Sequence, residues 1–379
     1  MPLIYLIAGE QSGDILGSRL MRAIAERRPD ARFAGIGGEG MRAAGLESLF
    51  PMRELALMGL LEILPRLRQL HARLRQTTAD IAARRPDLIV TIDSPGFTLR
   101  VLRAIAPLNL RRVHYVAPQV WAWRESRVKH YPGLWDRLLC LLPFEPAFFA
   151  RHNLPAVFVG HPVLESGAGK GDAARFRARH AIPSEARVVT VMPGSRRTEV
   201  SRLLPLLGET LRRLPAGIVP VVPVADPVAE AVRAGTKTWP VTPILVSGDR
   251  DKFDAFAASA AAMVKSGTSA LEVAVAGVPM LVTYRVNPLS GMLARRLFKV
   301  RFVSLLNLLA DREIVPELLQ EDATPDRLAA TLNTLLSDPV AAETQRASFQ
   351  AVLATLVPPG GLLPSEAAAA AVLDLLDQP

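Results

Sequence analysis

The stretch LIYLIAGEQSGD, residues 3–14, predicts the architecture of the chain. LIYLIAG (3–9) is a continuous apolar run, typical of a buried strand, and the Gly/Ser turn behind it leads into a helix over 15–28. Similar runs recur along the chain: ARFAGIGG (31–38), DLIVTID (87–93), RVHYVAP (112–118), RLLCLLP (137–143), RVVTVMPG (187–194), VPVVPVA (219–225), TPILVSG (242–248), AAMVKSG (261–267) and VPMLVTYR (278–285). Apolar runs that alternate with helices indicate an α/β fold with parallel sheets covered on both faces.

The length of 379 residues favours two such domains, because single cores rarely grow so large. Between the two series of strands, GHPVLESGAGKGD (160–172) has the small, polar composition of a linker. We therefore predict a first domain over 1–165, a second over 166–345, and C-terminal helices over 346–379 that pack back on the first domain or on a partner subunit. In doubly wound sheets, ligands bind beyond the carboxyl ends of the strands, so the predicted site lies in a cleft between the domains.

The composition limits the class of protein. With 50% hydrophobic and 21% charged residues the chain is globular, and its single cysteine, Cys140, excludes internal disulfides and fits a reducing cytoplasm. The first residues lack the basic start of a signal peptide, and no apolar window approaches the roughly 18 residues of a spanning helix. The net charge of +9 suggests a polyanionic partner such as nucleic acid, an acidic membrane surface or a phosphorylated substrate. A solvated, arginine-rich surface explains the charge equally well.

Two acidic side chains follow predicted strands in the first half. Glu10 lies in AGEQSGD (8–14), whose glycines allow a ligand to approach the backbone, although the spacing is not that of the dinucleotide fingerprint. Asp93 ends the strand in TIDSPGF (91–97), where Pro95 and Gly96 break the chain, and a carboxylate there can act as a general base. The alternative for both stretches is an acid or serine that caps the following turn.

The second half offers candidate anion-binding groups. In VMPGSRRTEV (191–200), the amides of Gly194 and Ser195 and the guanidinium of Arg196 could hold a diphosphate. In KSGTSALE (265–272), Ser269 and Glu272 have the spacing of a capping box, and the same strand-to-helix loop could bind a phosphate. The candidates in this loop are Lys265, Ser266, Gly267, Thr268, Ser269 and Glu272. DRD (249–251) matches a metal-binding motif of some sugar transferases, but helix capping explains it, and we predict no metal.

Two stretches suggest a surface for acceptor or membrane. VWAWRESR (120–127) places Trp121 and Trp123 beside Arg124, and core packing of at least one tryptophan is the alternative. MGLLEILPRLRQLHARLR (58–75) is a basic, leucine-rich segment in which Pro65 predicts a helix start or a kink. Such a segment can lie on a membrane surface, whereas a helix that covers the sheet explains only its later leucines. The candidates before Pro65 are Met58, Leu60, Leu61 and Leu64.

Taken in order, these motifs resemble those of the lipid-A-disaccharide synthases, from residue 3 to about residue 322. AGEQSGD, LALMGLLEIL, IDSPGF, HYVAPQVWAWRESRV, LPFE, GHP, MPGSR, SGTSALE and VSLLNLLADREIVPELLQ all occur in the family's sequence. The resemblance implies a GT-B glycosyltransferase fold, with two doubly wound Rossmann-like domains facing a central cleft. It implies transfer of diacylglucosamine from UDP-2,3-diacylglucosamine to 2,3-diacylglucosamine 1-phosphate, without metal or cofactor, at the inner face of the cytoplasmic membrane.

The resemblance also implies residue roles. Asp93 matches the proposed base, Glu10 a residue needed for activity, and Arg196 the arginine that binds the diphosphate. Glu272 matches the acid that bonds ribose hydroxyls in related enzymes, and Asn307 matches the asparagine of the motif S-L-P-N. Two positions depart from the family: Leu306 replaces the proline of that motif, and Gly96 replaces a second acid in D-x-P-D-F.

Other functions remain open from the residues alone. Another GT-B transferase for UDP-GlcNAc or a UDP-GlcNAc 2-epimerase would share the nucleotide-binding half, but should lack the VWAWR and MGLLEIL stretches. A non-catalytic RNA-binding protein would use the basic surface and would not need Asp93. We expect lipid-linked sugar substrates, an anionic inner-membrane surface and no nucleic acid as partners, with a homodimer as a further possibility.

Overall fold

The computed structural model describes residues 1–55, 60–287 and 300–378, and the side chains of all of these except 60–67. The chain divides into two compact units. The first unit comprises Met1–Pro162 together with Leu356–Pro379, and the second unit comprises Val163–Thr355. The second unit is therefore inserted into the chain of the first. The domain boundaries predicted at 165 and 345 differ from these limits, and the latter lies within a helix that runs from Pro339 to Thr355.

The first unit contains one parallel sheet of six strands in the order β2-β1-β3-β4-β5-β6. Its strands are β1 (Leu3–Ala8), β2 (Arg32–Ile36), β3 (Leu88–Ile92), β4 (Arg111–Tyr115), β5 (Arg137–Cys140) and β6 (Ala156–Phe158). The helices of this unit are α1 (Gln11–Arg27), α2 (Glu39–Ala43), α3 (Leu60–Arg84), α4 (Pro95–Ala104), α5 (Val120–Trp123), α6 (Glu145–Ala150) and, after the second unit, α15 (Pro364–Asp377).

The second unit contains a second parallel sheet of six strands, in the order β12-β11-β10-β7-β8-β9. Its strands are β7 (Arg187–Met192), β8 (Ile218–Pro223), β9 (Ile244–Val246), β10 (Ser259–Lys265), β11 (Met280–Tyr284) and β12 (Glu317–Leu319). Its helices are α7 (Ala173–Arg179), α8 (Arg197–Leu211), α9 (Ala229–Gly235), α10 (Asp249–Ala258), α11 (Ser269–Val275), α12 (Leu305–Ala310), α13 (Pro325–Ser337) and α14 (Pro339–Thr355). The prediction of two doubly wound parallel sheets is confirmed.

Helices cover both faces of each sheet, which explains why the strands are uninterrupted apolar runs. On one face of the first sheet, Tyr5 and Ile7 pack with Leu70 of α3 and Leu102 of α4. On the other face, residues of β1 pack with α1 and with Val372 of α15. The second sheet is covered in the same way, by α8 and α13 on one face and by α7 and α10 on the other.

The strand order of each sheet reverses at one point. In the first sheet the chain leaves β1 for β2 and then returns to the other side of β1 as β3, so the reversal lies between β1 and β3. In the second sheet it lies between β7 and β10. Loops separate at such a switch point and leave a crevice for ligands. The loops concerned carry Glu10 and Asp93 in the first unit, and Gly194–Arg196 and Lys265–Ser269 in the second.

Two helix starts differ from the predictions. The first helix begins at Gln11, four residues before the predicted start, because Glu10 already has the extended backbone of an N-cap residue. In the described residues the helix α3 begins at Leu60, so Pro65 lies within it and does not mark its start, and the kink that was the other expectation for Pro65 stays a prediction. In the described parts of the chain, each helix is too short or too polar to cross a bilayer.

Arginines from the first unit hold the end of the last helix. Arg111 donates to the carbonyl oxygens of Leu376 and Gln378, and Arg28 pairs with Asp377 at 2.9 Å. Arg137 donates to the carbonyl of Ala371 at 2.6 Å and pairs with Asp374. The last carbonyls of a helix have no partner within it and lie at the negative end of its dipole, so cations stabilise this end.

Replacing Arg111 with methionine should loosen α15, because two carbonyl oxygens lose a charged donor. A hydrogen bond to a charged group contributes about 1.5–3 kcal/mol, so local opening of the helix should become roughly 10- to 100-fold more frequent. Hydrogen–deuterium exchange of the segment 364–377 measures this. Arg22→Met, on an exposed position of α1, is the control and should leave exchange unchanged. Unaltered exchange in Arg111→Met would mean that apolar packing alone holds the helix.

Candidate active site

Asp93 stands immediately after β3, in a strained turn. Asp93 and Ser94 have φ values of 49° and 45°, and Val116, after the neighbouring β4, has a φ of 79°. Such values are uncommon for non-glycine residues, above all for a β-branched one, and they concentrate at functional sites. The turn is fixed by its backbone: the amide of Asp93 donates to the carbonyl of Tyr115 at 2.9 Å, and Thr98 Oγ1 donates to the carbonyl of Asp93 at 2.7 Å.

The loops after β1 and β3 contact each other at Gly9 and Ser94. A Cβ atom on Gly9 would lie 2.6 Å from Ser94 Oγ, so only glycine allows this approach. Glu10 follows directly, exposed, as the N-cap residue of α1, and its side chain does not cap the helix. The first unit thus brings Glu10 and Asp93 to neighbouring loops at the switch point of its sheet.

The carboxyl group of Asp93 is partly buried. Burial raises the pKa of Asp93 above its ordinary value, and a hydrogen bond from the backbone of Ser94 acts in the opposite direction. A raised pKa makes a carboxylate a stronger proton acceptor. Gly96, at the position of the family's second acid, is the second residue of α4, and an added Cβ there would meet nothing within 4 Å.

The helix-capping acid expected in AGEQSGD is Asp14, but it caps a different helix. Asp14 is buried, and its carboxylate accepts from the amides of Gly38, Gly40 and Met41 at 2.8–3.0 Å, at the start of α2. Its role is to join α1 to the loop after β2. Asp14 is therefore structural, and Glu10 remains as the candidate functional acid of this motif.

In the second unit, the turn after β7 is organised by Glu199, a residue that the sequence analysis did not single out. Glu199 is 4% exposed, and its Oε2 accepts from the amides of Ser195 at 3.2 Å and Arg196 at 3.3 Å. The amide of Ser195, predicted to hold a diphosphate, is therefore already engaged. Glu199 lies three residues after the N-cap Arg196, at the position of a capping-box acid, but the arginine stands where the sequence signature requires Ser or Thr.

Two cations meet the other oxygen of Glu199. Lys265 Nζ lies 3.1 Å and Arg196 Nη1 lies 3.4 Å from Glu199 Oε1. Lys265, at the end of β10, also lies over the ring of Tyr284, 5.2 Å from its centroid. The side chain of Arg196 is 73% exposed. The β7–β10 switch point thus brings together four of the predicted residues, Gly194, Ser195, Arg196 and Lys265. All four lie next to the carboxylate of Glu199, which the prediction did not include.

The SGTSALE stretch differs from its prediction. The helix α11 begins at Ser269 with Thr268 as N-cap, and no side chain caps it, so the predicted capping box of Ser269 and Glu272 is wrong. Glu272 instead accepts from Lys252 Nζ at 3.1 and 3.2 Å. Ser266 Oγ donates to the carbonyl of Val303 at 3.1 Å. Glu272 therefore forms an ion pair with a residue of α10 and does not cap α11.

The aspartates of DRD lie in the first turn of α10, where negative charge is favourable. Asp249 pairs with Lys252 at 3.0 Å, and Asp251 pairs with Arg179 of α7. Helix start and neighbouring cations account for both carboxylates. Among the described residues no group of three or more His, Cys, Asp or Glu side chains is arranged to hold a metal ion.

Asn307 orders the loop between α12 and β12. Its side chain is fully buried; Oδ1 accepts from the amides of Ile314 and Val315, and Nδ2 donates to the carbonyl of Val315 and to Glu317, all at 2.8–2.9 Å. These bonds favour a positioning role over the predicted catalytic one. Leu306, where the family has proline, donates its amide to Ser304 Oγ, a bond that proline cannot make.

The two tryptophans of VWAWR have different environments. Trp121 Nε1 donates to the buried Glu145 at 3.1 Å, and its ring stands edge-on to Phe144, so Trp121 is part of the scaffold. Trp123 is 37% exposed, and the guanidinium of Arg124 lies 3.9 Å from its ring centroid. Met58 lies outside the residues that the structure describes. Leu60, Leu61 and Leu64 lie in the part of α3 for which the structure describes the backbone but not the side chains.

Comparison with known proteins agrees with the motifs. The family model for lipid-A-disaccharide synthetase matches residues 4–366. A lipid-A-disaccharide synthase of Granulibacter bethesdensis is 57% identical over 390 aligned residues, which cover 100% of this chain and 99% of the relative. Solved structures of similar fold include UDP-GlcNAc 2-epimerase from Neisseria meningitidis bound to UDP-GlcNAc, with a TM-score of 0.66 at 11% identity over 99% of each chain. The glycotransferase of kitacinnamycin has a TM-score of 0.62 at 18% identity, again over 99% of each chain.

The likeness to the epimerase and to the glycotransferase is one of fold, at 11% and 18% identity. The likeness to the synthase is one of sequence and extends over the whole chain. The predicted enzyme class and GT-B fold are confirmed. The chain belongs to the lipid-A-disaccharide synthase family of glycosyltransferases, and its function is the glycosyl transfer that makes the lipid A disaccharide.

Proposed function

We propose that Asp93 is the catalytic base of this transfer and that the cations at the β7–β10 switch point hold the diphosphate of the UDP-diacylglucosamine donor. The proposal is based on the chemical groups found at the two switch points. A partly buried carboxylate with a raised pKa stands at the switch point of one sheet, and Arg196 and Lys265 stand at the switch point of the other. A base and a cationic cradle are the two groups that an inverting transfer from a nucleotide sugar needs.

The acceptor, 2,3-diacylglucosamine 1-phosphate, reacts through a primary hydroxyl, which is a weak nucleophile. Asp93 accepts its proton while the new bond to the anomeric carbon forms. The bond from that carbon to the diphosphate breaks at the same time, and its electrons leave with UDP. Arg196 and Lys265 take up the charge that develops on the leaving diphosphate, and removal of one such donor commonly costs about 3–4 kcal/mol of barrier.

The nucleoside of the donor is assigned to the loop after β10 and to Glu272. The carboxylate of Glu272 is held by one cation, Lys252. A carboxylate has about four acceptor positions, so the bond to Lys252 leaves room for ribose hydroxyls. Gly267, Thr268 and Ser269 lie between Lys265 and Glu272 in the chain, and we assign them to the same site. Asn307 acts on this site only through the loop that it orders.

UDP should bind without divalent metal and should depend on Arg196. Isothermal calorimetry in the presence of EDTA should give the same affinity as in magnesium buffer. Arg196→Ala should weaken UDP roughly 10- to 100-fold, since a charged hydrogen bond to the diphosphate is lost. Arg212→Ala, at the end of α8 and exposed, is the control and should bind UDP normally. A strict requirement for magnesium would contradict the metal-free site.

Asp93→Asn should lower turnover by about 10²-fold or more, because the side chain keeps its shape but loses its basicity. UDP affinity should be unchanged. In the wild type, kcat/KM should fall as the pH drops through the raised pKa of Asp93, above the range of an ordinary aspartate near 3.9. This acid limb should be absent in the variant.

Gly96→Asp is the matched control for Asp93→Asn. It adds a carboxylate three residues after Asp93, at a position where an added Cβ has no neighbour within 4 Å. It should change turnover only several-fold. The assignment is wrong if Asp93→Asn turns over almost normally while Glu10→Gln abolishes activity. In that case Glu10, on the neighbouring loop, is the base.

We further propose that the first unit contacts an anionic membrane, where its acylated substrates reside. Three features support this: the net charge of +9, the leucine cluster of 58–64, and the exposed pair of Trp123 and Arg124. Aromatic rings beside cations are typical of the membrane interface. The homodimer expected from the sequence stays a prediction.

Binding to vesicles of anionic lipid should weaken with salt and with Leu61→Glu or Leu64→Glu, because a buried apolar contact is replaced by a charge of the wrong sign. Co-sedimentation with the vesicles measures it. Val340→Glu changes an apolar side chain that is 73% exposed on the second unit, and it is the control. Equal vesicle binding by both leucine variants and the wild type would assign these leucines to the core or to an acyl pocket.

A further inference from the structure

We infer that Glu199 is a positioning residue of the nucleotide site: it occupies the backbone amides of the turn after β7 and sets Lys265 and Arg196 for the diphosphate. In this chain the diphosphate is then bound by cations and not by the amides of Ser195 and Arg196. The inference rests on the proposed function, since it assumes that the donor diphosphate binds at this switch point.

The carboxylate of Glu199 is a permanent part of the turn. It is 4% exposed, and it packs beneath Gly194, where an added Cβ would lie 2.4 Å from Oε2. Gly194 has a φ of 107°, which suits glycine and brings the turn close over the carboxylate. A ligand that displaced the carboxylate from the turn would leave a buried charge without its two amide donors, which is disfavoured.

The two oxygens of Glu199 have separate tasks. Oε2 accepts from both amides of the turn, and Oε1 faces both cations, Lys265 Nζ at 3.1 Å and Arg196 Nη1 at 3.4 Å. The amide donors are therefore used internally. Each cation keeps further donors, since an ammonium has three N–H groups and a guanidinium five. Two positive charges against one negative charge leave the group with a net charge of +1.

Without Glu199 the two cations would repel each other, and nothing else described for this turn would join the end of β10 to the start of α8. Lys265 is mostly buried, so its ammonium position depends on the carboxylate and on the ring of Tyr284. Arg196 is largely exposed and has one oxygen of Glu199 as its partner here. Glu199 thereby converts two independent side chains into a preorganised pair.

A simpler role for Glu199 would be that of a helix cap alone. The two roles separate in Glu199→Gln, because the amide oxygen of glutamine can still accept from the turn, whereas its NH₂ group would face Lys265 and Arg196. The cap survives and the cation contact is lost. The substitution also makes the site more positive by one charge. Coulomb attraction alone therefore predicts tighter UDP binding, and positioning predicts weaker binding.

The experiment is calorimetry of UDP binding in EDTA with the wild type, Glu199→Gln, Lys265→Met and the double variant, each checked for a normal melting transition. We expect each single variant to weaken UDP roughly tenfold or more, as for the loss of a charged hydrogen bond. The double variant should bind UDP more weakly than Lys265→Met, but by less than the full effect of Glu199→Gln alone, because Glu199 acts partly through Lys265 and the two effects are therefore not additive. Glu209→Gln, exposed on the same helix α8, should match the wild type.

Two results overturn the inference: Glu199→Gln binding UDP as tightly as the wild type or tighter, or fully additive effects in the double variant. Should Glu199→Gln fail to fold, Glu199→Asp replaces it, because the shorter acid keeps the charge but cannot span from the amides to Lys265. Wild-type affinity in Glu199→Asp then overturns the inference. Wild-type affinity in both Arg196→Ala and Lys265→Met would instead refute the proposed nucleotide site itself.

Discussion

The backbone amides at strand-to-helix turns must find acceptors, and in this protein buried carboxylates supply them. In parallel α/β sheets these turns gather at one edge, where the amides would otherwise point at solvent or at a ligand. The acids concerned are Asp14 for the start of α2, Glu145 for the start of α6 and Glu199 for the start of α8. Glu199 in this way orders a loop of the candidate site, whereas Asp14 and Glu145 order the loops after β2 and β5.

The buried carboxylates that accept from turn amides have different electrostatic surroundings in the two units. Glu145 accepts from the amides of Leu141 and Leu142 and from Trp121 Nε1, three neutral donors. Burial raises the pKa of Glu145 to about 7 in spite of these bonds. Glu199 has two amides on one oxygen and two cations on the other. The first arrangement only builds the scaffold, whereas the second also fixes the cations to which we assign the diphosphate.

Patterns in the sequence predicted the features that depend on residues close in the chain, such as most of the strands. Ten apolar runs correspond to ten strands, whereas the three-residue edge strands β6 and β12 were missed. The capping box of Ser269 and Glu272 failed because Lys252, twenty residues earlier, competes for the carboxylate. Glu199 was not among the predicted residues, because nothing near it in the sequence indicates that its carboxylate is buried and paired with Lys265. The roles of Asn307 and Trp121 likewise depend on partners that the sequence does not place nearby.

The insertion of the second unit into the first has a consequence for synthesis on the ribosome. On one face of the first sheet, α1 packs beside α15, which follows the second unit in the chain. About 200 residues separate Pro162, the end of the first segment of this unit, from α15, so at 5–20 residues per second the nascent first unit waits roughly 10 to 40 s for its last helix. During that interval the apolar cluster that α1 forms with the sheet lacks the residues of α15, among them Val372. The packing of the first unit is complete only when Arg28, Arg111 and Arg137 bind the end of this last helix.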